Sequence, residues 1–145
     1  MQITRYTDYS LRVLIYLGLR KDEQVTIQEI ADAYQISKNH LMKIVQELNA
    51  QGYVLAVRGK NGGLKLNQEP KDINVGNLVR LMEKDTNLVE CFSDRNTCAI
   101  TPHCQLKQIF SEALNAFYQA LEAYTLADLL GDKNVDGLID ILLSE

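Results

Sequence analysis

A chain of 145 residues that is 46% hydrophobic and 23% charged can fold as one domain, or one and a half, around a modest core. It has no run of about 18 apolar residues and its first residues lack the basic stretch, apolar core and cleavage site of a secretory signal, so no membrane partner and a cytoplasmic location are expected. The net charge of −4 is unevenly spread: residues 1–66 carry nine Lys and Arg against six Asp and Glu, and residues 67–145 carry six against thirteen, which sets a basic face ahead of an acidic body.

The first predicted element is a helix over "TDYSLRVLIYLGLRK", residues 7–21, with Leu11, Leu14 and Ile15 at helical spacing and Thr7 as its N-cap. Thr26 followed by Glu29 is a capping-box pair, in which each side chain satisfies the other residue's backbone N–H, and it starts a second helix. Ser37 caps a third, "KNHLMKIVQELNAQ", with Leu41, Ile44, Val45 and Leu48 on one face and Gly52 to end it.

Only a short turn, Tyr34 to Ser37, fits between the second and third helices. Two helices joined so tightly match the helix-turn-helix plan, in which the start of the second helix meets base edges in the major groove. The DNA-contacting candidates there are Ser37, Lys38, Asn39, His40 and Lys43. An ammonium can bond guanine acceptors and an amide can pair with adenine. The bland alternative is a solvated polar helix face.

"GYVLAVRGKNGGLKLN" then reads as two short strands, "YVLAV" and "LKL", joined by "RGKNGG", whose glycines and Asn61 permit positive φ. A basic hairpin tip after such a helix is the wing of a winged helix, with Arg58 and Lys60 reaching a phosphate or the minor groove. A phosphate-cradling glycine loop is the competing reading, but the GxxxxGK[ST] spacing is absent.

Beyond "QEPKDI", the segment "NVGNLVRLMEKD" predicts a helix with Val75, Leu78, Val79 and Met82 inward. A long helix follows at "TPHCQLKQIFSEALNAFYQALEAY", with Thr101 as N-cap and Pro102 at its first position. Leu106, Ile109, Phe110, Ala113, Leu114, Phe117, Leu121 and Tyr124 form an apolar stripe on it. At about 35 Å it overreaches a winged-helix domain, so a two-fold homodimer on a palindromic double-stranded site is expected. Thr125 with Asp128 offers a second capping box. The tail "DKNVDGLIDILLSE" either packs on the dimer or frays.

All three cysteines, Cys91, Cys98 and Cys104, fall within the fourteen residues "CFSDRNTCAITPHC". In a reducing compartment such thiols stay free, and an odd number argues against a disulfide framework. Cys104, at the third position of the predicted long helix, would lie at the positive end of its dipole, which favours thiolate. Zinc, an iron–sulfur cluster or a thiol switch would each suit. The spacing C-x6-C-x5-C lacks the close pair usual in zinc sites and is loose enough to surround a cluster. With His40 and His103 the only histidines and no nucleophile–base arrangement arguable from spacing, an enzyme is not expected.

The fold class is therefore mainly α with a small β-hairpin wing: a winged helix-turn-helix domain over residues 1–66, and residues 67–145 holding the cysteine loop (91–104) and a long dimerisation helix. The stretches "TDYSLRVLIYL", "SKNHLMKIVQELNAQGYVLAVRGKNGGLKL", the cysteines with "ITPHCQLKQ", and "YTLADLL" resemble the family of small dimeric winged-helix repressors that includes the regulator of iron–sulfur cluster assembly. The likeness is nearest to its nitric-oxide-sensing branch and spans nearly the whole chain.

That resemblance implies a homodimeric repressor with crossed long helices and one iron–sulfur cluster per subunit, 4Fe–4S favoured over 2Fe–2S, on Cys91, Cys98 and Cys104. It also implies loss of operator affinity when nitric oxide nitrosylates or removes the cluster. In the cluster-assembly regulator a histidine shortly after the third cysteine completes the ligand set, but here "QLK" follows. His103 is awkwardly placed, since neighbouring helical residues point about 100° apart. The nitric-oxide branch is similar in taking an acidic residue near the first helix of the opposite subunit, which corresponds to Asp8 of the partner subunit. Glu90 and Asp94 are local alternatives, and Asp8 as a plain helix-end carboxylate is the other reading. An iron–sulfur-status, redox or zinc-dependent regulator of the same fold is the alternative function.

Overall fold

The computed structural model describes residues 1–144. Three helices, α1 (Arg5–Leu19), α2 (Ile27–Tyr34) and α3 (Lys38–Ala50), precede an antiparallel hairpin of β1 (Val54–Val57) and β2 (Gly63–Leu66). Val54 pairs with Leu66 and Val57 with Gly63. Then come α4 (Val75–Met82), 3-10 turns at Glu90–Phe92 and Thr101–His103, α5 (Leu106–Glu122), α6 (Leu126–Leu129) and α7 (Asp132–Leu142). The mainly helical architecture with one hairpin is the expected one.

The predicted apolar faces form the core. Val13, Leu14 and Leu17 of α1 pack with Ile30 of α2, Leu41, Ile44 and Leu48 of α3, and Val54 and Leu64 of the hairpin. Ile73, Leu78, Met82 and Leu126 belong to the same buried cluster, so α4 and α6 are built onto the DNA-binding half. α5 joins through a smaller cluster of Val75, Val79 and Tyr118. Gly76 makes that joint close: a Cβ there would lie 2.5 Å from the Glu122 backbone nitrogen. The tail forms α7, whose Leu142 packs against the main core while Ile141 is exposed.

Several expected boundaries move. α1 starts at Arg5 with Thr4 as N-cap, because the Thr7 hydroxyl is buried and committed to Glu83. The Thr26 cap forms, accepting from the Glu29 amide at 3.1 Å, but the Glu29 carboxylate meets Arg20 at 3.2 Å in place of the reciprocal cap bond. The Thr125–Asp128 box is complete. In the wing tip only Gly59 takes a positive φ, of 110°. Gly62 is required instead by close approach, since a Cβ there would lie 2.2 Å from the Val57 carbonyl oxygen.

The largest change is in the long helix. Thr101 does not cap it: its hydroxyl donates to the Cys98 carbonyl at 2.9 Å and accepts from Asn96 at 2.8 Å. Cys104 is extended, at φ −89° and ψ 129°, so the chain makes one 3-10 turn and restarts as α5 at Leu106. Cys104 thus precedes the helix rather than lying within its first turn. The 17 residues of α5 span about 25 Å, not 35 Å.

Candidate functional site

The helix-turn-helix geometry is set by two local devices. Gln35 takes the left-handed conformation that stops α2, and the Ser37 hydroxyl accepts from the His40 amide at 3.4 Å to start α3. Lys38, Asn39 and Lys43 are exposed on α3, as are Arg58 and Lys60 at the wing tip. His40 is placed differently: half-buried, it sets its ring edge-to-face on Tyr9 of α1 at 5.1 Å. It ties the start of α3 to α1.

Between α3 and the wing runs an open groove lined by Lys38, Met42, Gln46 and Asn49 on one side and by Val57, Arg58 and Gly59 on the other. Sequence reasoning overlooked Gln46 and Asn49 as groove residues and linked Met42 only to base preference. Their 3–4 residue spacing from Lys38 was the available signal, because that spacing marks one helix face. Met42 is 42% exposed, an apolar side chain among polar ones. Asn49 is partly occupied, accepting from the Ala56 amide at 3.2 Å.

The second feature is the cysteine loop. Cys91, Cys98 and Cys104 line one hollow of about 160 Å³ together with Glu90, Ile100, Leu106 and Phe110. The loop is stitched by its own side chains. The Glu90 carboxylate accepts from both the amide and the hydroxyl of Thr97 at 2.8 Å, and those bonds hold its pKa below the usual carboxylate range. Asn96 accepts from the Cys98 amide at 3.0 Å. Asp94 is exposed, as is His103, and neither lines the hollow.

The donor set bears on what could be held there. Among the described residues no three His, Cys, Asp or Glu side chains converge closely enough for a single metal ion. Three sulfurs spaced around an apolar hollow suit the larger body of an iron–sulfur cluster, and soft thiolates suit its iron. Asp8 of the same chain is not part of the hollow; its carboxylate is held in a fork by Arg12 at 2.9 Å and 3.1 Å. The Arg12 guanidinium lies 5.2 Å from the Tyr9 ring centroid and 5.8 Å from that of Tyr34. Tyr34 donates to the Arg12 carbonyl at 2.9 Å, and burial pushes its phenol up to about 12.

α5 presents Leu106, Ile109 and Phe110 to solvent, with Ile109 54% exposed, beside the exposed Ile100. Its later residues Leu114, Phe117 and Leu121 turn inward with Tyr118. No described helix is long and apolar enough to cross a membrane.

A tight helix pair, an exposed basic recognition helix and a basic wing define a winged-helix DNA-binding protein, here with a three-cysteine loop appended. Comparison with known proteins agrees. Residues 3–132 match the Rrf2 family model, described as an iron-dependent transcriptional regulator, and the chain belongs to that family. It is 50% identical over 136 residues to the HTH-type transcriptional regulator NsrR of Bacillus licheniformis, covering 92% of this chain and 95% of that one. It is 49% identical over 144 residues to NsrR of Bacillus subtilis, covering 98% and 97%. Among solved structures it is similar to CymR, the global cysteine regulator of B. subtilis, with a TM-score of 0.71 and 26% identity over 89% of this chain and 95% of that chain. It is also similar to IscR of T. potens, with a TM-score of 0.71 and 25% identity over 92% and 88%. The protein is a DNA-binding transcription regulator and not an enzyme.

Proposed function

We propose that this regulator is a repressor whose operator affinity depends on an iron–sulfur cluster, with nitric oxide as the signal. The observation that carries the reading is the convergence of Cys91, Cys98 and Cys104 on one apolar hollow. The iron-dependent family description and the NsrR and IscR relatives support iron–sulfur binding. Residues 1–66 read DNA, and residues 67–145 hold the cluster and the dimer contact.

The exposed Ile100, Leu106, Ile109 and Phe110 favour a homodimer, because an apolar helix face stays in water only at a loss of about 25 cal/mol per Å² of surface left uncovered. A two-fold dimer presents two copies of α3 to a palindromic operator. Ser37, Lys38, Asn39 and Lys43 meet the major groove, Arg58 and Lys60 the flanking backbone, and His40 holds α3 against α1.

The three thiolates hold a cluster, 4Fe–4S in preference to 2Fe–2S, and Asp8 of the partner subunit completes the set. When bound, the cluster supplies the chemistry that reacts with nitric oxide, and an oxygen ligand leaves its iron more open to attack than a fourth thiolate would. The chain's own residues convert this into a change of shape. With Asp8 engaged across the dimer, Arg12 loses its forked partner; with Asp8 released, the Asp8–Arg12 pair re-forms as seen here. Arg12 touches Tyr9 and Tyr34, and Tyr9 touches His40, so the choice reaches the start of α3.

The test is an anaerobic absorption spectrum with iron and sulfide analysis, followed by nitric oxide titration in the presence of operator-like DNA. Bound iron and sulfide, bleached as DNA is released, is the expected result. Stoichiometric zinc, or metal-free protein with unchanged DNA binding, would overturn the proposal.

A further inference from the structure

Glu83 is a buried carboxylate that the mechanism above leaves without a role. It follows the last residue of α4, is 8% exposed, and turns its carboxylate under the N-terminus of α1. The Thr4 hydroxyl donates to it at 2.8 Å and the Thr4 amide at 3.2 Å and 3.3 Å, and the Thr7 hydroxyl completes the set. Thr4 is the N-cap of α1, so a carboxylate from 79 residues away sits at the positive end of that helix.

A carboxylate is withdrawn from water only where donors replace its hydration, and all of these donors belong to the N-cap and first turn of α1. The bond therefore resists sliding of α1 relative to the end of α4. Both partners stand next to functional segments. Asp8 adjoins Thr7, and the chain leaving Glu83 reaches the turn that carries Cys91 after the six residues Lys84 to Val89. At its other contact, α1 holds the start of α3 through Tyr9 and His40. The charged and titratable groups nearby on α4 and α5 are Arg80 and Tyr118; Arg80 is occupied by Glu122 at 2.8 Å and by the Tyr118 ring at 4.2 Å.

We propose that Glu83 is a positioning residue of the DNA switch: within each subunit it fastens the segment entering the cysteine loop to the first turn of α1, so that rearrangement of the loop moves α1 and the start of α3. The identity of the signal rests on the function proposed above. The link itself is internal to one chain, unlike the Asp8 bridge between subunits.

The test uses full-length Glu83→Gln and Thr7→Val, the second removing a single donor at nearly constant shape. Three quantities are read: iron and sulfide content, operator affinity with and without cluster, and the His40 ring resonances of cluster-free protein. Both variants are expected to load cluster as the parent does. Their ratio of loaded to cluster-free affinity should collapse toward one from the parent's value, for which roughly 5–150-fold is the usual range of such coupling. The His40 resonances should move in both. An unchanged ratio overturns the proposal, as do unmoved His40 resonances, and Thr7→Val decides if Glu83→Gln fails to fold. Should the parent carry no cluster, the cluster reading fails by itself, and the His40 resonances alone sustain or overturn the mechanical link.

Discussion

Substituting Gly62 with alanine separates DNA contact from folding. The added Cβ would lie 2.2 Å from the Val57 carbonyl oxygen and 2.9 Å from that of Gly59, where ordinary contact begins at 3.4 Å. The wing backbone must therefore move by about 1.2 Å, the difference between 3.4 Å and 2.2 Å, and no side-chain rotation can relieve a clash with backbone. Overpacking of a core costs about 1–3 kcal/mol, but the wing tip is exposed and can yield, so the global loss should stay near or below the lower figure. The displaced residues include Arg58 and Lys60. In the proposed dimer that makes four cations, and each phosphate contact contributes about 0.9 to the slope of log affinity against log salt. Full loss would make the slope shallower by about 3.6. Fluorescence anisotropy with operator-like DNA over a salt series measures the slope, and a thermal melt checks the fold. An unaltered slope and affinity would refute contact between the wing tip and DNA.

Asp8→Ala removes an exposed i,i+4 pair worth about 0.3–0.5 kcal/mol and a helix-end carboxylate worth about 0.3–1 kcal/mol, so denaturant unfolding of cluster-free protein should shift by at most about 1.5 kcal/mol. The same variant should alter cluster stability or the nitric oxide response, and full retention of both counts against Asp8 as a ligand. Gly76→Ala drives a Cβ to 2.5 Å from the Glu122 nitrogen and 2.7 Å from its Cα, and should destabilise by about 1–3 kcal/mol and loosen α5; parental stability would contradict the close α4–α5 joint. Burial raises the Tyr34 phenol from 10.0 to about 12, so the folded chain binds that proton more tightly than the unfolded chain does. Its contribution is complete below about pH 10 and is lost as pH rises toward about 12. Circular dichroism across that window should show a decline that Tyr34→Phe reduces; an identical decline in the variant would exclude Tyr34 as its source.

Local chemistry was legible in the chain itself. Ser37 and Thr26 as caps and the Thr125–Asp128 box depend on partners within one turn, and the inward faces of α3 and α4 follow helical periodicity, so spacing alone reveals them. The grouping of the cysteines and the basic wing were equally open to reading, and so was the family. Other features depend on competition for a donor or acceptor between alternative partners. Thr7 reads as a cap, yet its hydroxyl goes to Glu83, so Thr4 takes the role. Thr101 precedes Pro102 as a cap should, yet its hydroxyl serves the cysteine loop, and α5 begins five residues later. His40 reads as a DNA contact, and its edge-to-face contact with Tyr9 could not be read from spacing. Composition and periodicity determined which elements form and which class of protein they make. Only the tertiary structure decided where α1 and α5 start, which walls enclose the cysteines and what ties α1 to the loop, because at those points a side chain has several partners in reach and the packed chain selects among them.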